Sequence, residues 1–251
     1  MSSNSADLNG TGAGVEVVSG GIPGNQMPKI VPTGDGSYCL KIFRSSLNLL
    51  AHLLIGIVVG VSLLYCFRGG LPLGTTAIHI VLCVIGFQLL MSEAILSLCP
   101  YNGWSNYLRL TDKKRTHAIL QMAGSILALA GCFIMSISKN VNFNTLHGKF
   151  ALVAMVFTVA GFLNGWTSWY SQELRNCLPP ALSKITHIVF GIVAYAMSAV
   201  TLCYGFNKGS FRGWASEDFT YTLMAFTGCF TVICIISPLF NCFSKTAALI
   251  K

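Results

Sequence analysis

Between Leu47 and Phe240 the chain contains six runs of about twenty residues with almost no charge, at 47–67, 77–98, 117–138, 147–169, 185–206 and 219–240. A helix of about twenty residues crosses a hydrocarbon core of roughly 30 Å. Inside that core no water can satisfy a free backbone N–H or C=O, so an apolar run of this length has to close its own hydrogen bonds as a helix. Charged residues make up 10% of the chain, against about 25% in an ordinary soluble domain. The expected fold is an all-α membrane protein, a six-transmembrane-helix bundle. Residues 1–40, rich in Gly, Ser, Asn and Pro, read as a flexible tail. Residues 41–243 read as the six-helix domain, and 244–251 as a short C-terminal tail.

The net charge of +8 does not point to nucleic acid, because the basic residues sit in short connections and form no stripe with interleaved aromatics. Assigned to alternate sides of the membrane, eleven Lys and Arg fall on the side of the termini and five on the other. The positive-inside rule therefore predicts both termini in the cytoplasm. Trp104, Trp166, Trp169 and Trp214 fall at the predicted interfaces, as an aromatic belt requires. No cleavable leader opens the chain, so the first apolar run is expected to stay as an anchor. Asn9 begins a glycosylation acceptor, Asn-Gly-Thr, which a cytoplasmic tail would leave unmodified. The choice between plasma membrane and an endomembrane or vesicle stays open.

Ionisable residues inside a span are costly and point to function. His79, His117, His147 and His187 stand at or near the starts of the second to fifth runs. Successive helices alternate in direction. His79 and His147 therefore share the non-cytoplasmic layer, and His117 and His187 share the cytoplasmic one, roughly 20 Å away by helix rise. His117 follows His79 by 38 residues and His187 follows His147 by 40, so helices two and three read as a unit repeated in four and five. Two imidazoles fill both axial positions of a haem iron. The reading is two haems in the central four helices, with His79 and His147 on the outer iron and His117 and His187 on the inner.

No Cys-x-x-Cys-His occurs, so the haems would be non-covalent b-type groups. Cys83, Cys132, Cys229 and Cys234 lie within apolar runs and read as small hydrophobes. Seven residues after each histidine stand Gly86, Gly124, Ala154 and Ala194. These leave room either for a porphyrin edge or for close helix packing. His52 has no partner in the outer layer and reads as structural. Glu93 is either a proton carrier beside the inner layer or an interfacial carboxylate reaching water.

The leading function is di-haem electron transfer across the membrane. A small polytopic transporter or channel with proton- or ion-handling histidines is the alternative, and a packing scaffold without cofactor is a third class. Flavin-linked ferric reductases place two histidines on each of two helices, whereas this chain has one per helix. The short C-terminal stretch is expected to leave no room for a flavin domain.

The segments "IHIVLCVIGFQLLMSEAILSL" with His79, "THAILQMAGSILALAG" with His117, "TLHGKFAL" with His147 and "KITHIVFGIVAY" with His187 resemble the cytochrome b561 family. In particular they resemble its shorter branch of transmembrane reductases, over about residues 45–240. The resemblance implies an oxidoreductase that takes electrons from cytoplasmic ascorbate and reduces monodehydroascorbate or a ferric chelate across the membrane. Where ascorbate-using members carry an arginine after the second helix, this chain reads Leu96-Ser97-Leu98-Cys99-Pro100-Tyr101. At the fourth helix it has Thr145-Leu146-His147-Gly148-Lys149 in place of Ser-Leu-His-Ser-Trp. Beside the inner layer Arg109, Lys113, Lys114, Arg115 and Lys184 are positioned to attract an anionic donor or meet haem propionates. Positive-inside topology alone would also put these charges there. Lys139 and Lys149 are the counterparts on the outer side. The partners implied are these small molecules and membrane lipid, with no nucleic acid, and the reading is compatible with a homodimer.

Overall fold

The apolar runs fold as they must where backbone groups have only each other to bond. A computed structural model describes residues 35–250, and among the described residues all regular structure is helical. We label the helices α1 (Asp35–Phe67), α2 (Thr75–Ser97), α3 (Leu110–Ile137), α4 (Leu146–Trp169), α5 (Pro180–Phe206), the short α6 (Gly209–Ala215) and α7 (Glu217–Ile250). All but α6 are long and apolar enough to cross a membrane.

Several helices begin earlier or end later than the apolar runs, because a helix need not stop where hydrocarbon ends. α3 starts at Leu110 rather than at 117, with Asp112 in its first turn complementing the helix dipole. α5 starts at Pro180, where a proline's missing N–H costs nothing. At α4 the Thr145 hydroxyl caps the first turn by accepting from the Gly148 N–H at 3.2 Å. α1 begins at Asp35, inside the stretch read as a flexible tail, and α7 runs on to Ile250 through the stretch read as a C-terminal tail. Asn9 and the rest of residues 1–34 lie outside the described residues.

By its contacts the chain divides at Arg44 and Ser45 into two units. In the first, the described part is the opening of α1, with Tyr38, Leu40, Ile42 and Phe43 exposed. The second holds the bundle, in which α4 packs along α5, α5 along α7 and α2 along α3. Its core includes Ile55, Val58, Tyr195, Leu223 and Phe230. Outward, Leu64, Ile119, Ile126, Phe133, Leu163 and Val232 are exposed. So much apolar surface facing water would be a liability, but it suits the lipid around an integral multi-pass membrane protein.

α2 and α3 touch backbone to backbone. A Cβ on Gly86 would lie 2.6 Å from the Gly124 carbonyl oxygen, and one on Gly124 would lie 2.8 Å from that of Gly86. Close helix packing accounts for these two glycines. At this contact α2 changes its winding, with Val84–Met91, which includes Gly86, forming a π-helical stretch. Such insertions re-aim the residues on either side and occur frequently at functional sites.

Candidate functional site

The four histidines meet as two couples. The rings of His79 on α2 and His147 on α4 have centroids 6.2 Å apart and planes 82° apart. Those of His117 on α3 and His187 on α5 are also 6.2 Å apart, at 86°. His117 and His187 lie about two turns inside their helices rather than at or near the start, because those helices begin early.

Every ring is oriented in the same way. The Nδ1–H of His79 donates to the Gly131 carbonyl at 2.9 Å, and that of His147 to Thr201 at 2.9 Å. His117 donates to Ala94 at 2.9 Å and His187 to Gly161 at 3.2 Å. The exchange is reciprocal: α2 and α3 supply each other's carbonyl, and so do α4 and α5. This is the geometry expected of a duplicated helix pair. A carbonyl can only accept, so each Nδ1 carries the proton and each Nε2 keeps its lone pair. Among the described residues no Nε2 of the four has a hydrogen-bond partner.

That is the donor set of a bis-imidazole metal centre whose outer support fixes the ligand tautomer. With the metal about 2 Å from each nitrogen, as for zinc, and the ring centre about 1 Å further, two ligand rings stand roughly 6 Å apart. Both couples match that separation, so the residues present fit an iron held between two imidazoles. A proton relay would need Nδ1 to hand its proton onward, whereas here each Nδ1 ends on a backbone carbonyl.

Two glycines that the sequence did not single out make room for the rings. A Cβ on Gly165 would lie 3.3 Å from His187 Cε1, and one on Gly205 would lie 3.5 Å from His147 Cε1. Each stands one turn beyond the carbonyl that holds the same ring, Gly161 or Thr201. Only the i+4 spacing of carbonyl and glycine on the facing helix could have marked them.

Of the basic residues, Lys113 is buried along most of its length one turn before His117, and it forms no ion pair among the described residues. Lys114 is exposed, and both Arg115 and Arg109 pair with Asp112. Lys184 lines an open cavity of about 350 Å³ together with Pro180, Ala181, Ala248 and Lys245. Lys245 is a second cation that no motif announced. Around the other couple, Lys139 and Lys208 are close enough to act electrostatically on His79 and His147, while Lys149 is exposed. Partial burial, and then the charge of Lys139, hold the Lys208 amine below the usual lysine range.

Three polar clusters lie nearby. Cys83 and Cys132, read from sequence as apolar filler, sit beside His79, with Cys83 Sγ 3.5 Å from its Nδ1 and 3.7 Å from Cys132 Sγ. These three could ligate a metal. Here, however, Nδ1–H is committed to Gly131, and the Cys83 thiol donates to the Ala128 carbonyl at 3.6 Å. In the interior the Tyr195 hydroxyl donates to Ser92 Oγ, which donates to the Gln88 carbonyl, each at 2.6 Å. At the His117 end His52, read as structural and without a partner in the outer layer, bonds to Glu93 at 2.7 Å and to Asn102 at 3.1 Å.

The sequence model of the family described as eukaryotic cytochrome b561 matches residues 78–212, just over half of the chain and including all four paired histidines. Among curated proteins, the chain is 29% identical over 225 residues to the probable transmembrane ascorbate ferrireductase 4 of Arabidopsis thaliana, covering 82% of this chain and 92% of that one. It is 31% identical over 153 residues to the transmembrane ascorbate ferrireductase 2 of the same plant, covering 55% and 62%. Its identity to the transmembrane reductase CYB561D2 of Mus musculus is 27% over 174 residues, covering 67% and 76%.

Proposed function

The chain belongs to the eukaryotic cytochrome b561 family, a transmembrane oxidoreductase that uses b-type haem, and from that premise we propose where its electrons enter and leave. In this reading two haems are held, one by His79 and His147 and one by His117 and His187. Each haem would supply a one-electron ferric/ferrous couple. Electrons enter from ascorbate at the His117/His187 end and leave at the His79/His147 end to monodehydroascorbate or a ferric chelate. Both termini and the ascorbate side are cytoplasmic, by the bias of eleven basic residues against five.

The observation that carries this reading is the repetition of one arrangement at both ends, two near-perpendicular imidazoles 6.2 Å apart with each Nδ1–H on a carbonyl. The chain's own residues do the rest. The carbonyls of Ala94, Gly131, Gly161 and Thr201 hold each Nε2 ready as a ligand. Lys113 and the Lys184/Lys245 cavity draw an anionic donor to one end or meet propionates there. Lys139 and Lys208 give the opposite end the positive field an anionic acceptor needs. Lys114 and Arg115 belong to the donor-side field rather than to a direct contact, since both are exposed and Arg115 is tied to Asp112.

The test is spectroscopic. Purified protein in lipid nanodiscs should show an intense Soret band that shifts when ascorbate is mixed in and returns when a ferric chelate is added. A colourless protein would remove the haem reading. A coloured protein that ascorbate leaves oxidised would remove only the donor.

A further inference from the structure

Glu93, His52, Asn102 and Trp104 form a closed polar network at the His117/His187 end, and neither the ring pairs nor the basic residues require it. Glu93 accepts from both sides. Its Oε1 lies 2.7 Å from His52 Nδ1, and its Oε2 takes the Trp104 indole N–H at 3.1 Å. The Asn102 amide donates to the Leu96 carbonyl at 3.0 Å, which turns its Oδ1 toward His52 Nε2 at 3.1 Å. The two nitrogens of His52 are thus bracketed by Glu93 Oε1 and Asn102 Oδ1, which makes the ring and the carboxyl a hydrogen-bonded ionisable pair. Holding such a pair beside a span is costly unless it has a use.

Two buried polar atoms stand close to these residues along the chain. Asn48 lies one turn before His52 on the same face of α1, and its Nδ2 is buried without a partner. Ser105, three residues after Asn102, has a buried Oγ that is also without one. Buried donors of this kind are normally satisfied by ordered water. The carboxylate itself is not sealed off, with 22% of its side chain exposed. It is also one residue from Ala94, whose carbonyl takes the His117 Nδ1–H. Among the titratable groups near it, His52 on α1 bonds to it and Cys234 on α7 is close enough to interact with it electrostatically. On α3, His117 bonds to its neighbour.

We propose that Glu93, held by His52 and Trp104, is the group that accepts the proton released when the electron donor is oxidised at this end of the bundle. This rests on the ascorbate reading given above. An ascorbate monoanion that gives up one electron must also lose its hydroxyl proton. The O–H bond of the enediol breaks, the electron leaves toward the His117/His187 centre, and the proton forms a carboxylic O–H at Glu93.

The experiment uses full-length, haem-loaded protein in nanodiscs. The reduced-minus-oxidised infrared difference spectrum should contain the C=O stretch of a newly protonated carboxyl, absent in Glu93→Gln and restored, shifted, in Glu93→Asp. In stopped flow, Glu93→Gln should slow reduction by ascorbate roughly a hundredfold, the usual scale of a lost proton acceptor, and should change reduction by hexaammineruthenium(II), which delivers no proton, by less than about twofold. No protonated-carboxyl band in the parent protein, a band that survives Glu93→Gln, or equal effects on both reductants would each overturn the proposal. If ascorbate fails to reduce the parent protein while ruthenium succeeds, the donor assignment falls, and the infrared band alone decides the role of Glu93.

Discussion

Replacing Gly86 by alanine tests whether one helix contact holds both histidine couples in place. The added Cβ would lie 2.6 Å from the Gly124 oxygen and 2.7 Å from the Ala128 nitrogen, both backbone atoms, against the 3.4 Å at which ordinary contact begins. A backbone cannot swing aside as a side chain can, so α2 and α3 must part by about 0.8 Å. Two ring bonds cross that same interface, His79 to Gly131 and His117 to Ala94, both 2.9 Å long. A separation of that size takes them past about 3.6 Å, where they no longer count as hydrogen bonds. Overpacking costs about 1–3 kcal/mol and each weakened bond about 1 kcal/mol, a sum of roughly 3–5 kcal/mol and a large share of a typical fold's stability. The assay is haem content per protein, read from the two ferrous spectra, together with thermal unfolding. Both haems should be lost in parallel, although Gly86 touches neither couple. Gly191→Ala is the control, since nothing lies within 4 Å of its added carbon. Gly86→Ala protein that keeps both haems and melts within about 2 °C of its parent, less than 1 kcal/mol on a chain of this size, would refute the reasoning.

Single alanine changes at His79 and His147 should remove the same spectral component, and changes at His117 and His187 the other one. Loss of different components within a couple would break the pairing. Reversing Lys184 and Lys245 together to glutamate should slow reduction by ascorbate at low salt by roughly tenfold or more while leaving a neutral reductant unaffected, and the difference should shrink as salt is added. Lys208 titrates below the usual lysine range, first through burial and then through Lys139, so its charge is lost as pH rises through that lowered value. Reduction of an anionic acceptor should fall there, and Lys139→Gln should move the fall to higher pH. The sign for stability is the opposite. The fold disfavours charged Lys208, a penalty present at lower pH and relieved as pH rises through the folded value toward the unfolded one.

The existence of the six spans could be read from hydropathy, because an apolar run of that length has few alternatives in water or lipid. The pairing of His79 with His147 and His117 with His187 could be read from alternating helix direction plus spacing. Helix ends were less legible, since α3 and α5 continue past the hydrocarbon edge on polar residues that suit a helix equally well. His52 was hidden by a different cause. Its partner Glu93 follows a π-helical stretch that turns the last turns of α2 away from the face expected of a regular helix. Apolar residues gave no signal of that change in winding. Lys245 and Lys208 escaped because charges outside a span reveal topology, not which cavity or ring they approach.

All four rings are aimed by main-chain oxygens at positions 94, 131, 161 and 201. No exchange of one side chain for another removes such an oxygen. Substitutions there disturb the histidine couples only when they move a helix or, as proline does, break its path. The orientation of the rings is thereby insulated from most sequence drift, so the couples can persist in chains whose remaining residues have largely changed.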